Sequence, residues 1–513
     1  MARTGVRQSH APRARYAVHP SGVPHASGVR RAACVVGAWL AAAALVVVGA
    51  AFGVVVGASL GGARASAQVP ATVGAAAPAA PLAADVARLS TLSAADREAL
   101  APLLARGPVA LVEFTEGDAL PAILLAAEID APAATVAAIV GDPAGYPRFM
   151  GVLDSVEVTG RHGTSLAYDW TWRTALFELR GANVMTSSPP PASHPEQGWR
   201  FGVRATGGDL GTGRFLWRVL PAGPNRTIVT LATRLDLRDS NYLARQMSQA
   251  SRSVNRSINL SLGFVMLLGV RHEAHHRAGY APARLANPAA PLAPSDIDLA
   301  RLGTLLGRGD LVAMTLDGDR LDHVTALART GTGKEFVTPV ITDPRAFGSA
   351  LMPGSRATVL DVIDDGGGTL FDWEINVPII GTSGRMRLAA TDPSGEVVNV
   401  SGVSGSLREG RWRFETRVQP WGEAVVVAIG RFDPGDTTWL LRGVVRSSAD
   451  FGAGLAAASE LMVARAIRSR AMDAVEAQAA AALEAQAAAA LEARATTSLP
   501  ARATAPAAAA APR

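Results

Sequence analysis

Apolar and polar residues alternate in many short runs of this 513-residue chain, and a few longer runs repeat apolar residues at helical spacing. A period of two is typical of half-buried strands, whereas spacings of three and four residues indicate helices. In the first half, this pattern predicts strands at 109–114, 123–129, 153–158, 165–174, 177–185, 199–205, 213–220 and 227–237. It predicts helices at 90–104, 133–140 and about 241–276. Ser93 and Asp96 have the spacing of a capping box at the start of the first helix.

The second half shows the same order of patterns. Strands are predicted at 311–316, 324–328, 357–363, 369–375, 385–390, 397–403, 412–419, 424–429 and 437–445, and helices at 296–306, 336–341 and from 450 to at least 472. An eight-residue repeat of strong helix formers at 475–495 predicts that the last helix continues. Eight residues are not a heptad, so a sustained coiled-coil seam is not expected. Composition predicts a disordered tail after residue 495.

The two halves are interpreted as copies of one domain, because five short motifs recur in the same order. The motifs are "LLARG" at Leu103 and "LLGRG" at Leu305, "GDxL" at Gly117 and Gly318, "DP" at Asp142 and Asp343, "YDW" at Tyr168 and "FDW" at Phe371, and "WRF" at Trp199 and Trp412. The shift between copies stays between 201 (318 − 117) and 213 (412 − 199). This period is too long for a solenoid and has the size of a globular domain.

Residues 129–150, with "APAATVAAIVGDPAGYPRFM" followed by "VLDSVEV", resemble the START-like superfamily. That superfamily includes polyketide cyclase/dehydrases, coenzyme Q-binding START proteins and the birch-pollen allergen. The resemblance covers about 109–276; in the second copy it is weaker and depends on the internal repeat. It implies an α+β fold of two tandem helix-grip domains, each a curved antiparallel sheet around a long C-terminal helix. It also implies an apolar cavity between sheet and helix, which members use for lipids, sterols, quinones or polyketides.

Large aromatic residues share one face of several predicted strands, and they are the candidates for lining such a cavity. In the first copy they are Tyr168, Trp170, Trp172, Trp199, Phe201, Phe215 and Trp217, and in the second they are Phe371, Trp373, Trp412 and Phe414. A sheet with so many aromatics on one side either packs them solidly or lines a pocket with them. Ordinary core packing is the favoured interpretation of any single one of these residues.

The segment His272-Glu273-Ala274-His275-His276 satisfies the HExxH pattern, in which two histidines one helical turn apart bind zinc. Pro282 stands where the longer motif places a third histidine, and no glutamate occurs between Glu273 and Glu335. A polar last turn of a helix, where histidines suit the helix dipole, is the favoured alternative. We therefore expect no cofactor and no metal site, with His272 and His276 as weak metal candidates only.

The N-terminal region predicts export. Residues 1–31 are basic and predicted to be disordered, and the 32 residues from Ala32 to Ala63 carry no charge, more than the ~20 that span a bilayer. Arginines before this run place the N-terminus in the cytoplasm. Ala65-Ser66-Ala67 matches a signal-peptidase site. A cleaved signal peptide and a retained transmembrane anchor both place the remainder outside the cytoplasm; a buried core helix is the less favoured alternative.

Composition and the absence of known motifs argue against several other functions. The net charge of +5 comes from six arginines that precede the apolar run, and no basic stripe with interleaved aromatics follows, so nucleic-acid binding is not expected. Cys34 is the only cysteine, which excludes a disulfide framework or a cysteine-based metal site within the chain. The sequence contains no nucleophile elbow, P-loop or dinucleotide fingerprint.

These observations predict seven segments: a disordered basic N-terminus at 1–31, a signal peptide or transmembrane anchor at 32–67, a linker at 68–84, a START-like domain at 85–279, a linker at 280–294, a second START-like domain at 295–474, and an Ala-rich helical extension with a disordered tail at 475–513. The favoured function is binding or transfer of an apolar small molecule (lipid, quinone or isoprenoid) in the cell envelope, with membrane contact through the N-terminal segment. Two alternatives are a polyketide cyclase/aromatase-type enzyme and an envelope scaffold that binds no ligand.

Overall fold

The structure is a computed structural model. It describes residues 82–497 apart from 115–122, 174–177, 210–212, 236–251, 289, 294–296, 347–356, 378–379, 438–441, 444 and 447. The predicted signal or anchor segment at 32–67 and the predicted disordered N-terminus at 1–31 lie outside these residues, as does the predicted disordered tail beyond residue 497; residues 496 and 497 are helical. Among the helices described, none is long and apolar enough to cross a membrane.

The first repeat contains eight strands, and a long helix closes it. Its elements are α1 (Ala84–Ala87), α2 (Ala94–Leu104), β1 (Val109–Glu113), β2 (Ile123–Ile129), α3 (Ala133–Val140), a 3-10 helix (Pro143–Arg148), β3 (Leu153–His162), β4 (Ser165–Arg173), β5 (Glu178–Ser188), a 3-10 turn (Pro195–Gln197), β6 (Trp199–Gly208), β7 (Arg214–Gly223), β8 (Arg226–Arg234) and α4 (Arg252–Ala278). The predicted capping box is confirmed, because the Ser93 hydroxyl accepts from the Asp96 N–H while the Asp96 carboxylate accepts from the Ser93 N–H.

The second repeat has the same order. Its elements are α5 (Gly303–Arg308), β9 (Gly309–Asp317), β10 (Arg320–Arg329), α6 (Lys334–Thr342), β11 (Ala357–Asp364), β12 (Thr369–Val377), β13 (Ile380–Ala390), β14 (Val397–Gly405), β15 (Arg411–Val418), β16 (Ala424–Arg431), a 3-10 turn (Pro434–Asp436) and α7 (Ala449–Thr497). Two sequence predictions are wrong here. The helix expected at 296–306 begins only at Gly303, and the strand expected at 437–445 is helical at Arg442, Gly443 and Val445.

All sixteen strands form one large curved antiparallel sheet, so the fold class is mixed α+β. The strand order is β11-β12-β13-β14-β15-β16-β10-β9-β1-β2-β8-β7-β6-β5-β4-β3, and antiparallel pairing of β1 with β9 joins the repeats. Ala110 pairs with Val312, its own equivalent at the motif shift of 202, so equivalent strands meet about a local two-fold axis. Because the repeats share one sheet, the domain boundaries at 279 and 295 stay predictions.

Strand order also corrects the last of the five motif matches. Trp199 to Phe201 lies in β6, the sixth strand of its repeat, whereas Trp412 to Phe414 lies in β15, the seventh strand of the other repeat. The true equivalents of Trp412 and Phe414 are Phe215 and Trp217. Val203 pairs with Phe215 in one half of the sheet, and Val400 pairs with Trp412 at the corresponding place in the other half. The "WRF" recurrence therefore reflects similar strand chemistry and not equivalent positions.

The long helices cover one face of the sheet. Helix α4 packs on β2 and β8, α7 packs on β10 and β16, and the two helices contact each other. The Ser261 hydroxyl donates to the Gly454 carbonyl (3.0 Å) at this contact. The opposite face, near the junction, is covered by α1, α2 and α5. Strands at the junction are consequently apolar on both faces.

A buried ion network fixes α7 to the junction. Asp310 on β9 is fully buried and accepts from Arg465 Nε (2.6 Å) and Arg468 Nη1 (2.8 Å). Burial is the largest influence on the pKa of Arg465, which it lowers although Asp310 favours the charged form. Beyond these contacts the predicted continuation of the helix through the Ala-rich repeat is confirmed, and α7 spans 49 residues, about 73 Å at 1.5 Å per residue.

Candidate functional site

An apolar cavity of about 90 Å³ lies between the sheet of the first repeat and helix α4. Five of the seven aromatic candidates of this repeat line it, namely Tyr168, Trp170, Trp172, Phe215 and Trp217. The alternation along β4 brings its three aromatics to one face, and the pairing of β6 with β7 adds the other two beside Val203. The cavity is smaller than the roughly 300–1,000 Å³ of ordinary ligand pockets.

The other two candidates of this repeat, Trp199 and Phe201, are not among the residues that line the cavity. Phe201 lies directly across from Trp217 in the sheet, and Trp199 lies two residues further along, across from Val219. Phe201 is buried and packs against the end of α3, where its Cε1 lies 3.0 Å from the place a Cβ on Gly141 would occupy. Trp199 is half-buried at the side of the same core. Both residues are core in this structure.

The position of the Trp170 indole depends on a glycine in the neighbouring strand. Gly181 is its cross-strand partner, and a Cβ on Gly181 would collide with the Trp170 ring. The second repeat uses the same pair, since Trp373 faces Gly384 and a Cβ on that glycine would lie 3.0 Å from the Trp373 ring. The absence of a side chain at these two glycines lets each indole lie flat across the sheet.

The polar groups of the cavity are few and neutral. Asn183 Nδ2 donates to Tyr168 Oη (3.1 Å), and Tyr146 Oη donates to the Val140 carbonyl (2.6 Å). Burial raises the pKa of Tyr168 to about 12 and holds the pKa of Tyr146 well above its usual range. Both phenols therefore stay protonated at neutral pH.

Two indole N–H groups add unused hydrogen-bonding capacity. The Nε1 atoms of Trp172 and Trp217 are buried and have no hydrogen-bond partner within the described part of the chain. A buried donor without a partner costs roughly 1–3 kcal/mol. An acceptor on a bound molecule would remove that cost, so the lining suits an apolar ligand with an acceptor oxygen.

Sequence reasoning missed the lining residues outside the aromatic set. From α4 these are Leu262, Val265 and Met266, at the i, i+3 and i+4 positions that define one helix face. Asn183 was also missed, although it lies directly across from Tyr168 in the sheet. Helical spacing was a usable signal for the first three, but the choice of face needs the packed structure.

The four candidates of the second repeat are buried at positions equivalent to cavity residues of the first. Phe371 and Trp373 correspond to Tyr168 and Trp170 at the shift of 203, and Trp412 and Phe414 correspond to Phe215 and Trp217 at 197. All four belong to the main core, with exposed fractions of 1–8%. Trp412 stacks on Phe432 with ring centroids 5.4 Å apart.

The HExxH segment lies in the last turns of α4 and contacts the second repeat. His272 Nδ1 lies 3.4 Å from Asp450 Oδ1, Glu273 accepts from Arg277 Nε (2.7 Å), and His276 is exposed. Burial lowers the pKa of His272, but the carboxylates of Asp450 and Asp319 more than offset this, so the pKa is raised. Within the described part of the chain, no group of three His, Cys, Asp or Glu residues could hold a metal ion.

A second, polar cavity of about 510 Å³ lies where the linker meets both repeats. Its arginines are largely engaged by carboxylates of the chain itself. Arg271 donates to Asp319 (2.6 Å) and Arg431 to Asp322 (2.7 Å), and Asp322 also lies 2.7 Å from His323 Nδ1. Because these ion pairs already neutralise the charges, the cavity is better explained as part of the contact between the repeats than as a site for a charged ligand.

Solved structures resemble the chain at low sequence identity. No protein-family model matches the chain, and no curated protein matches it. Similar solved structures include the di-domain ARO/CYC StfQ from the steffimycin biosynthetic pathway, with 11% identity and a TM-score of 0.24 over 69% of this chain and 99% of that one. Others are a STAR-related lipid transfer protein from Xanthomonas axonopodis (14%, 0.27, over 33% and 94%) and the lipid transfer and protein localization domain of human StarD13 (12%, 0.26, over 33% and 84%).

Each repeat by itself has the order of strands and helices that the sequence resemblance implies. What those proteins bind or catalyse does not follow for this chain at such low identity.

Proposed function

We propose that the protein consists of two tandem helix-grip domains that bind an apolar small molecule, such as a lipid, quinone or isoprenoid, for sequestration or transfer in the cell envelope. The observation that supports this proposal most is the cavity under α4, whose lining is almost wholly apolar and includes two indole N–H groups that bond to none of the described residues. Apolar burial would supply affinity, and the indoles would orient an acceptor oxygen of the ligand.

The cavity must widen to hold a ligand of lipid size, because about 90 Å³ is below the volume of an engineered cavity that binds benzene, about 150 Å³. We propose that α4 and the sheet separate when the ligand enters. The edge of the sheet could move most easily, because Leu153 and Val156 of the lining belong to β3. This strand is the outermost one of the sheet and is hydrogen-bonded on one side only.

A cyclase/aromatase-type enzyme is less well supported by the first cavity. The titratable residues of its lining are Tyr146 and Tyr168, and burial raises the pKa of both, which makes them poor proton donors at neutral pH. The scaffold alternative would require a solid interior, which differs from the cavity seen here.

We also propose that the chain is exported, with residues 32–67 as its signal or anchor. The support is the run of 32 uncharged residues after a basic segment. Fractionation of cells that express the full chain would test this, because recovery in the cytoplasmic fraction would contradict export.

The test of ligand binding is extraction of the full chain, expressed in a lipid-containing host and purified without detergent, followed by mass spectrometry of the organic extract. We expect a stoichiometric apolar molecule. Val265→Phe, which fills the cavity from α4, should abolish its retention by the first repeat. Val418→Phe, at a half-exposed position of β15, is the matched control and should retain it.

An empty extract from folded protein would contradict the carrier proposal. Equal retention by Val265→Phe and wild type would contradict the assignment of the ligand to the first cavity.

A further inference from the structure

The interior of the second repeat contains a carboxyl group without a partner. Glu460 on α7 is fully buried, and neither of its oxygens has a hydrogen-bond partner among the residues that the structure describes. The carboxyl group fits because the residue opposite, Gly430 on β16, has no side chain; a Cβ there would collide with Glu460 Oε2 and lie 3.0 Å from Trp412 Cδ1. The acid therefore lies between the closing helix and an aromatic of the sheet.

The repeat identifies the equivalent place in the first copy. Trp412 corresponds to Phe215, which lines the apolar cavity. At the same level of the sheet, the first repeat carries Thr233 where the second has Gly430.

The second repeat thus places an acid beside the equivalent of a cavity residue, and Gly430, which stands where the first repeat has Thr233, leaves room for that acid. An unpartnered buried polar group is costly, by roughly 1–3 kcal/mol. A carboxyl group retained in such a position indicates a partner that is not part of the protein.

Burial is the cause of a raised pKa at Glu460, to about 8, so the group is a neutral acid at pH 7. A neutral carboxyl group has one O–H to donate and a carbonyl oxygen to accept. A hydroxyl group complements both at once, whereas an amine would require a desolvated ion pair in the core.

We propose that the interior of the second repeat binds an apolar molecule that carries a hydroxyl group, and that this hydroxyl bonds to the carboxyl group of Glu460. The inference deepens the proposed function and depends on it. It gives the two repeats different ligand chemistry: an acceptor oxygen in the first and a hydroxyl in the second.

The test uses the full chain and three probes with the same alkyl chain, 1-decanol, decane and decylamine, in titrations followed by tryptophan fluorescence. Because the indoles of the first cavity would also bond an alcohol oxygen, every protein in the comparison carries Val265→Phe, which fills that cavity. This parent protein should bind decanol roughly tenfold more tightly than decane, as one buried hydrogen bond predicts. Adding Glu460→Met, which removes both polar atoms, should abolish that preference, and adding Glu460→Gln, which keeps a donor and an acceptor, should keep most of it. Adding Glu476→Met, at an exposed site of α7, is the control and should leave the preference of the parent protein unchanged.

The outcomes separate this inference from the proposed function. Binding of decane without a preference for decanol would overturn the inference and would indicate that water is the partner of Glu460. A preference for decanol that survives Glu460→Met would overturn it as well. Both results would leave the carrier function standing. A preference for decylamine would overturn the neutral hydroxyl pairing. No binding of any probe, with an empty organic extract, would overturn the proposed function itself.

Discussion

The buried acid of the second repeat also predicts an unusual dependence of stability on pH. Glu460 is protonated in the folded protein up to a pKa of about 8, whereas a glutamate in the unfolded chain ionises near its ordinary value of 4.5. Between these two pH values the folded state holds a proton that the unfolded state has released. The contribution is therefore fully present below pH 4.5 and is lost as the pH rises to about 8.

The magnitude follows from the two pKa values. A rise of the pKa from 4.5 to about 8, at about 1.4 kcal/mol per pH unit, corresponds to a loss on the order of 4–5 kcal/mol by pH 8. Burial is the only cause of this raised pKa, so no charged group of the protein offsets the loss. A loss of this size is a large part of the 5–15 kcal/mol that stabilises most proteins.

Glu460→Gln removes the ionisation and keeps a similar shape. We expect the two proteins to have similar free energies of unfolding near pH 5, and the variant to be more stable by several kcal/mol at pH 8. Urea titrations followed by tryptophan fluorescence at half-unit pH steps measure this difference. Parallel curves for wild type and variant from pH 5 to 8 would refute the reasoning, because they would mean that Glu460 ionises alike in both states.

Two further predictions concern packing and ion pairs. Asp310→Asn should lower the free energy of unfolding by roughly 3 kcal/mol, because half-buried Arg465 and Arg468 lose a fully buried carboxylate, whereas Asp372→Asn, which breaks a more exposed pair, should cost less than about 1 kcal/mol. Equal urea midpoints for the two variants would contradict this. Gly181→Ala should cost about 1–3 kcal/mol, since its Cβ would collide with Trp170, while Gly207→Ala, which has open space around it, should cost far less. Thermal melts of both glycine variants test the pair, and a harmless Gly181→Ala would show that the indole is free to move.

Much of the local structure could be predicted from residue patterns. The strands of the first repeat, the helix break before Pro143 and the Ser93–Asp96 capping box depend on neighbours within a few residues, so periodicity and capping chemistry were sufficient. The same holds for the aromatic face of β4, because alternation alone assigns Tyr168, Trp170 and Trp172 to one side.

The predictions were wrong where one residue pattern fits more than one structure. The "WRF" match joined strands that occupy different places in the two repeats, since similar alternation of large and charged residues recurs in any half-buried strand. The apolar run at 437–445 was predicted as a strand, but the described residues of that segment include a helical turn. Short apolar runs fit a buried strand and a buried helix equally well.

Contacts between distant segments were decided by the tertiary structure alone. The sequence by itself determined a duplicated α+β domain with aromatic-lined strands. It contained no signal that β1 would pair with β9 and merge both copies into one sheet, because pairing between strands 200 residues apart depends on which edges stay open after each copy folds. It likewise did not show that Gly430 makes room for Glu460, since the two residues meet only when α7 packs on β16. The chemistry that distinguishes the second repeat is therefore a product of packing.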